Sequence, residues 1–311
     1  MNYKDQLIQI LDASGWTQEQ LAAEIGVSFP ALNAWINNRA VPREKAQARI
    51  RDLFIAITGT SAITESDLVL AKKAATVYSI SAKQIMSNSD KLNKLTLYLT
   101  YHTNNIEGST MTLADVNDVI FDNKVLSNRS AIEQLEAKNH QAALYWLIEH
   151  VARAKGKFSI TEELILNIHL RLMNGIVSDA GQYRKHTVRI MGSHVALANW
   201  QKVPSLIHEL ADARYNTDDS IAFIAKTHAI FEKIHPFSDG NGRTGRLLML
   251  AQALNAKLPP PIVLKERKKA YYRYLEIAQA NENYKPLELF IAEAVLFSGT
   301  LLEDTKNQTI V

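Results

Sequence analysis

The sequence predicts a mainly α-helical protein, in which a small helix-turn-helix domain precedes a larger helical bundle with one small β-hairpin. Apolar residues recur at helical spacing along most of the chain. Threonine, serine and glycine stand where these segments begin and end, as is typical of helix caps. Only residues 181–195 are strand-like, with β-branched residues between two glycines. With 311 residues, 47% of them hydrophobic, the chain is long enough to bury a substantial core.

Composition argues against several classes of protein. The absence of cysteine excludes disulfides and thiolate metal sites. The first residues, MNYKDQLIQILD, mix charged with apolar side chains, unlike a signal peptide, and no run approaches the roughly 18 apolar residues of a membrane helix. We therefore expect a cytoplasmic protein without a membrane partner. The net charge of +3 is too small to indicate nucleic-acid binding by itself.

Residues 1–57 are predicted to form the small N-terminal domain. Thr17 and Gln20 have the spacing of a capping box. Gly26 ends this helix, and Ser28 is placed to cap the next one. The stretch TQEQLAAEIGVSFPALNAWINNRAVP resembles a helix-turn-helix of the phage-repressor type, whose second helix enters the major groove of DNA.

The charges of this domain favour double-stranded DNA as a partner of residues 17–51. Between residues 39 and 51, five of the six charged side chains are basic and could contact phosphates. Phe29 and Pro30, however, stand where polar side chains that contact bases are expected. A module for protein contact or dimerisation is therefore the alternative.

A domain boundary is predicted in the short polar connector that opens residues 58–89, which also contain a helix. Residues 90–298 then form the main domain, and residues 299–311 a C-terminal tail. The helix over about 90–108 ends at Gly108, and Glu107 in its last turn faces the negative end of the helix dipole. A cationic partner would stabilise this carboxylate, although by itself Glu107 is more typical of a solvated surface residue.

Three histidines, His140, His150 and His169, lie in the next predicted helices. No second ligand stands three or four residues after any of them, so they are more typical of surface or core-edge positions than of metal ligands. Ser159 and Glu162 predict the start of the second of these helices.

The stretch HPFSDGNGRTGR, residues 235–246, concentrates polar chemistry between two predicted helices. The first helix ends near His235 because a proline follows. Glycines and the free N–H groups of the second helix form an anion-binding nest, over which Arg243 and Arg246 can hold the same phosphate group. Asp239 offers an oxygen ligand for Mg²⁺, and His235 can accept a proton near neutral pH.

These parts indicate a phosphoryl- or nucleotidyl-transfer site. The alternative is a metal-dependent hydrolase in which His235 and Asp239 share a metal ion. The further histidines and acids that such a centre needs are missing nearby in the sequence.

The same stretch resembles the signature motif of the Fic family at every defining position. Members of this family mostly transfer AMP from ATP to a hydroxyl group of a target protein. The resemblance implies a Fic-type helical bundle, with His235 as the general base for a Ser, Thr or Tyr hydroxyl and Asp239 as a Mg²⁺ ligand. It also implies contacts with the phosphates of ATP from Gly240, Asn241, Gly242, Arg243 and Arg246. Gly242 favours nucleotidyl transfer, because related members that phosphorylate their targets lack this second glycine.

Two further stretches resemble parts of the family that act on the target and on ATP. Residues 181–195 resemble the flap, a hairpin that docks the target backbone by strand addition. The docking residues implied there are Val188, Ile190, Met191 and Gly192. The segment AYYRYLEIAQAN resembles the lining of the adenine pocket, with Tyr272 and Gln279 as the implied base contacts.

Residues 103–108 resemble the inhibitory motif of the family, formed here by Thr103, Glu107 and Gly108. The resemblance implies that Glu107 pairs with Arg246 and prevents ATP from binding productively. This reading replaces the surface position that Glu107 alone would suggest.

The sequence therefore predicts an autoinhibited protein adenylyltransferase that uses ATP and Mg²⁺, modifies target proteins including itself, and can also remove AMP. A DNA-binding transcriptional regulator whose Fic-like domain senses nucleotide is the alternative, and one chain can combine both. The sequence leaves open the target and the oligomeric state, including a homodimer.

Overall fold

The computed structural model describes residues 2–59, 63–154, 158–190, 195–212 and 219–303. In these residues the secondary structure is helical. The α-helices are α1 (Tyr3–Ser14), α2 (Gln18–Ile25), α3 (Phe29–Ile36), α4 (Glu44–Thr58), α5 (Glu65–Ala75), α6 (Ala82–Met86), α7 (Ser89–Ile106), α8 (Leu113–Ile120), α9 (Ala131–Arg153), α10 (Glu162–Met173), α11 (Val203–Asp212), α12 (Ser220–Ile234), α13 (Asn241–Asn255), α14 (Lys268–Asn281) and α15 (Lys285–Leu302). Short 3₁₀ turns precede α11 and α14, at Trp200–Lys202 and Lys265–Arg267.

Local capping chemistry explains most of the helix ends. Thr17 and Gln20 form the predicted capping box of α2, and Gly26 ends that helix in the left-handed conformation with φ 76°. Ser28 does occupy the N-cap position of α3, but its side chain makes no capping hydrogen bond. The start of α10 was predicted two residues too early, because Thr161 rather than Ser159 caps it, accepting a hydrogen bond from the N–H of Leu164.

Helix α13 is the central helix of the main domain. It buries nearly every residue from Asn241 to Leu254, so it lacks the single apolar stripe of a surface helix. Helices α7, α9, α10 and α12 pack around it. The Asn241 end of this central helix is the end that carries the polar 235–246 stretch.

Helices α1 to α4 enclose a separate small core. Its buried residues are Leu7, Ile10, Leu21, Ala22, Ile25, Leu32, Ile50 and Phe54. Among the basic residues expected to face DNA, Arg49 instead donates to the carbonyl of Ile25 at 2.7 Å, and Arg51 pairs with Glu293 of α15. Arg39, Arg43 and Lys45 remain exposed.

An ion cluster joins α4 to the main domain, and we call Asp52, Arg267 and Glu293 the interdomain ion cluster. Arg267 donates from Nε and Nη2 to the two oxygens of Asp52, at 2.7 and 2.6 Å, and from Nη1 to Glu293 at 2.7 Å. The hydroxyl of Tyr274 in α14 also donates to Asp52, at 3.0 Å. The small domain is thus attached beside the start of α14.

The predicted β-hairpin is not confirmed. Within the described part of residues 181–195 the chain forms turns and extended backbone without strand pairing, and Met191 and Gly192 lie outside the described residues. Val188 and Ile190 are only half-buried. Side-chain hydrogen bonds anchor this segment instead: the N–H of Gly181 donates to His169 Nδ1 at 2.9 Å. No helix in the described residues is long and apolar enough to cross a lipid bilayer.

Candidate active site

His235 lies at the C-terminal end of α12, in the left-handed conformation with φ 51° and ψ 63°. Its Nδ1 is 3.3 Å from the carbonyl oxygen of Glu232. Because a carbonyl oxygen can only accept, Nδ1 carries the proton and Nε2 keeps a free lone pair. Burial lowers the pKa of His235 to about 4, against the opposing effect of the Glu232 carbonyl. The imidazole is therefore neutral at pH 7 and able to accept a proton.

Buried side chains fix the loop that follows His235. Asn241 accepts from the N–H of Phe237 and donates to its carbonyl, both at 2.9 Å. Phe237 stacks on His169, with ring centroids 3.6 Å apart. Since His169 Nδ1 accepts from Gly181, its Nε2 donates to the carbonyl of Asp239 at 3.0 Å. His169 is thus a core residue and not a metal ligand, and the Asn241 side chain is already engaged, which leaves its backbone N–H for a phosphate.

At the N-terminus of α13, two glycines leave the main chain open to close approach by other groups. Gly240 has φ 77°, and a Cβ atom there would lie 2.7 Å from Met173 Sδ. A Cβ atom on Gly242 would overlap the carboxylate of Glu107 and lie 3.0 Å from Arg246 Nη1. The left-handed conformation favours glycine at position 240, and a side chain at position 242 would have to displace the Glu107 carboxylate. The free N–H groups of the first turn surround a position suited to an anion.

Asp239 is the exposed acid of this loop, with 61% of its side chain accessible. Its Oδ1 accepts from the N–H of Gly240 at 2.6 Å, and its Oδ2 is 3.5 Å from Arg243 Nη2. In the described residues no group of three or more histidines and acids could hold a metal by itself. A single accessible carboxylate nevertheless fits Mg²⁺, which takes its other ligands from phosphates and water.

Arg246 is buried and faces the end of α7. It donates to the carboxylate of Glu107, and its Nε donates to Thr103 Oγ1 at 2.6 Å. Burial would raise the pKa of Glu107, but the positive charge of Arg246 and its hydrogen bond lower that pKa overall. The Glu107 side chain keeps 30% exposure, so it is not a freely solvated surface residue. Gly108 follows with φ 113°, a conformation that favours glycine and turns the chain away.

Arg243 has a different protein partner from Arg246 in this structure. It is buried, and its Nη1 donates to Glu136 of α9 at 2.6 Å. Its Nε has no partner in the described structure. Glu136 was missed in the sequence, and its one local signal is a place on α9 one turn before the buried His140.

The proposed adenine contacts are placed differently from one another. Tyr272 is 40% exposed, and burial raises its pKa to about 12, helped by the negative charge of Glu107. Gln279 is buried, and its side-chain amide donates to the carbonyl of Ala229 at 3.2 Å. Tyr271 was not predicted: its hydroxyl lies 2.6 Å from His228 Nε2, and its ring lies 5.9 Å from the Arg246 guanidinium.

Glu232 is a second acid in this region that sequence reasoning missed. Its Oε2 is 3.9 Å from His235 Nδ1, and its buried Oε1 has no partner in the described structure. Burial raises the pKa of Glu232 to about 8 against the effect of Arg246. This acid is therefore largely neutral at pH 7, whereas Glu107 is ionised.

The chain is similar to known proteins in two regions. Residues 159–253 match the Fic/DOC family, and residues 7–48 match a helix-turn-helix family. Curated proteins named protein adenylyltransferase Fic are similar to 62% of the chain: the one from Drosophila ananassae is 30% identical over 199 residues and the one from Culex quinquefasciatus 31% over 199 residues. The chain spans about two fifths of these relatives, 39% of each.

Two solved structures have a fold similar to that of this chain. A Fic-1 fragment from C. elegans is 22% identical with a TM-score of 0.64, covering 91% of this chain and 84% of the fragment. A Fic family protein from Desulfovibrio desulfuricans G20 is 27% identical with a TM-score of 0.58, covering 77% of this chain and 74% of that one. The chain therefore carries a Fic/DOC-family domain behind an N-terminal helix-turn-helix.

Proposed function

We propose that this chain is an autoinhibited protein adenylyltransferase, which transfers AMP from ATP to a Ser, Thr or Tyr hydroxyl of a protein. The observation that carries the proposal is the junction of α12 and α13. A neutral histidine stands at the end of one helix, and a glycine-lined anion site with a buried arginine stands at the start of the next. The names of the curated relatives agree with this activity.

In the proposed reaction, His235 Nε2 takes the proton of the target hydroxyl as its oxygen attacks the α-phosphorus of ATP. A new P–O bond forms, the bond between the α-phosphorus and the β-phosphate bridging oxygen breaks, and pyrophosphate leaves. The N–H groups at the start of α13 and the Arg246 guanidinium hold the phosphates. Asp239 would hold Mg²⁺, which neutralises phosphate charge when bound.

Inhibition follows from the position of Glu107 in this scheme. The Glu107 carboxylate accepts a hydrogen bond from the Arg246 guanidinium and fills the space next to Gly242. In the proposed scheme the phosphates of ATP need both that guanidinium and that space. If 99 molecules in 100 held this contact, productive ATP affinity would fall about 100-fold, roughly 2.7 kcal/mol. Loss of one ion pair in a partly buried site is enough to supply that difference.

Labelling of protein with Mg²⁺ and ATP that carries a radioactive α-phosphate tests the proposal. Glu107→Gly should label itself and other proteins far more strongly than the wild type, and adding His235→Ala should abolish labelling. Glu107→Asp is a control, because its shorter carboxylate keeps the charge. Equal, undetectable labelling by wild type and Glu107→Gly across several nucleotides would remove the transferase assignment.

The same site can remove AMP, with Glu107 orienting a water molecule. In that case a target already carrying AMP should lose its label with the wild type and keep it with Glu107→Gly. Glu107→Gly should therefore increase labelling if the protein adds AMP, and prevent the loss of label if the protein removes AMP.

DNA binding by the small domain is the second candidate function, favoured by the helix-turn-helix match over residues 7–48. Arg39, Arg43 and Lys45 are its exposed cations in the basic stretch. Fluorescence anisotropy of the full chain on selected duplexes should show binding that weakens steeply with salt. Replacing Arg39 and Arg43 by alanine should reduce the slope of log K against log[salt] by about 2. Absence of affinity at low salt would assign the domain to protein contact.

A further inference from the structure

Arg184 is a buried arginine whose donors all go to backbone carbonyls. Its side chain lies next to the start of the candidate site and has 2% of its surface exposed. Nε donates to the carbonyl of His235 at 2.7 Å, and Nη2 to those of Ala198 and Ile234 at 2.6 and 3.3 Å. Nη1 donates to the carbonyl of His186 at 2.7 Å. The N–H of Arg184 also donates to the carbonyl of Pro236, at 3.0 Å.

This placement is energetically unusual. Among the described residues no carboxylate forms an ion pair with Arg184, and burial lowers its pKa. A buried charge is costly unless its hydrogen bonds are complete. Here the carbonyls of Ile234 and His235, left free at the negative end of α12, supply part of the compensation. An apolar side chain could be buried here at a lower cost in free energy, yet this position holds a charged side chain that contacts the main chain of His235, the proposed base.

The conformation of His235 explains why such a contact is needed. A non-glycine residue in the left-handed region costs roughly 1–2 kcal/mol and persists only where its surroundings fix it. Arg184 contacts the main chain on both sides of the turn, at Ile234, His235 and Pro236. The same guanidinium ties the carbonyls of His186 and Ala198 to this turn, so two chain segments meet at one side chain.

We propose that Arg184 is a positioning residue for His235, holding the turned main chain so that the imidazole Nε2 points at the reacting hydroxyl. The proposal rests on the proposed function only for the role of His235 as the base. Electrostatics support it. Burial is the largest cause that lowers the pKa of His235, and the charge of Arg184 lowers it further, whereas the backbone carbonyl of Glu232 and the charges of Glu107 and Asp239 raise it. The side chain of Glu232 also faces the ring, with its Oε2 3.9 Å from Nδ1. Arg184 thus helps to keep the base unprotonated.

The test separates geometry from charge in the Glu107→Gly background. Arg184→Gln keeps donors without the charge, and Arg184→Lys keeps the charge with a different donor geometry. Both should lower kcat for self-labelling ~10- to 100-fold, as a displaced reacting group does, with the KM for ATP nearly unchanged. Arg153→Ala, at an exposed arginine on α9, is the control and should leave both constants unchanged. A kcat equal to that of the Glu107→Gly parent in both Arg184 variants would overturn the proposal, as would a loss of ATP affinity that accounts for the whole decrease.

A second readout does not depend on transferase activity. Followed by NMR without nucleotide or Mg²⁺, the titration of His235 should move to higher pH in Arg184→Gln and stay near that of the parent in Arg184→Lys. Identical titration of His235 in the parent, Arg184→Gln and Arg184→Lys would show that the charge of Arg184 does not affect the protonation of the base. If neither variant folds, Arg184→Ala should regain self-labelling when guanidinium ions are added at millimolar concentration, and failure of that rescue counts against the proposal. Absence of labelling in Glu107→Gly itself would instead remove the proposed function.

Discussion

At the scale of single residues, the two arginines of the signature stretch have different anionic partners. Arg246 pairs with Glu107 and Arg243 with Glu136, each beneath the N-terminus of α13. The acid of the first pair is the more accessible to a ligand, with 30% of the Glu107 side chain exposed against 18% for Glu136. The Arg243 pair joins α13 to α9 and so contributes to the packing of the main domain.

Loss of Glu136 should destabilise the protein strongly. Glu136→Ala would leave the buried guanidinium of Arg243 with only the more distant carboxylate of Asp239, 3.5 Å away, and loss of a buried ion-pair partner costs up to about 3–5 kcal/mol. Unfolding in urea measures this loss. Glu149→Ala is the matched control on the same helix, because its partner Arg153 is exposed and the pair should contribute less than about 1 kcal/mol. Similar losses in both variants would show that Arg243 finds another partner.

Glu232 should give the stability of the protein an unusual dependence on pH. Burial raises its folded pKa to about 8, above the ordinary value of 4.5, so the folded state holds a proton that the unfolded state has lost between these values. Stability should therefore fall as pH rises from about 4.5 to 8. Glu232→Gln removes this effect and should lose less free energy of unfolding than the wild type between pH 6.5 and pH 8.5. Parallel curves would show that Glu232 is ionised in the folded protein.

The sequence revealed the residues of the site that lie close together in the chain. His235, Asp239 and the glycines follow one another within eight positions, so helix ends, proline and glycine were enough to place them. Glu136 and Arg184 were missed because they contact the site from 107 and 51 residues away. No local pattern marks such partners.

At the scale of elements, helices were predictable where capping side chains act on neighbouring residues, whereas the predicted flap is not confirmed in the described residues. Val188 and Ile190 have the alternation of a strand, but in the described residues this segment is held by Arg184 and His169. In the described residues, hydrogen bonds from side chains to this segment stand in place of the hydrogen bonds between strands that an alternating pattern normally implies. Alternation alone could not distinguish the two arrangements.

The turn before α14 connects three elements. In this turn Lys265 donates from its N–H to His102 Nδ1 and from its Nζ to Asn105, both at 3.2 Å, and both acceptors lie in α7. Two residues later, Arg267 holds Asp52 of α4. The helix that ends at Glu107 and the helix that ends the small domain thus contact the same short turn.

Removing Arg267 should loosen the small domain. Arg267→Ala leaves Asp52 and Glu293 buried and facing each other, and like charges repel. We expect α1 to α4 to unfold at lower temperature than the main domain, giving two calorimetric transitions. Lys269→Ala is the control, because Lys269 is exposed and 4.0 Å from Glu24 of the small domain. A single transition unchanged from the wild type would show that apolar contacts alone attach the domain.

At the scale of the whole molecule, buried histidines should make the protein sensitive to acid. Burial is the first cause that lowers the pKa of His102, His169 and His235 to about 4 and of His140 and His228 to about 3. The unfolded chain binds these protons from about pH 6.5 downward, so stability should fall as pH drops below 6.5 towards 4. Each histidine contributes up to about 1.4 kcal/mol per pH unit.

Urea unfolding between pH 6.5 and 5 measures this dependence. Glu232 acts in the opposite direction over this range, so its effect is subtracted with the Glu232→Gln variant. His140→Gln should reduce the slope by about one proton, whereas His208→Gln, at an exposed histidine, should not change it. An unchanged slope in His140→Gln would show that this histidine is protonated in the folded state.

The pairing of Glu107 with Arg246 also has a consequence for how the protein is made. Glu107 precedes Arg246 by 139 residues, so a ribosome completes α7 on the order of 10 s before the signature stretch emerges. In every nascent chain Glu107 is therefore synthesised before the arginine with which it pairs. Under the proposed autoinhibition, the reverse order would expose newly made sites to cellular ATP before the inhibitory residue existed, and the order in this chain avoids that.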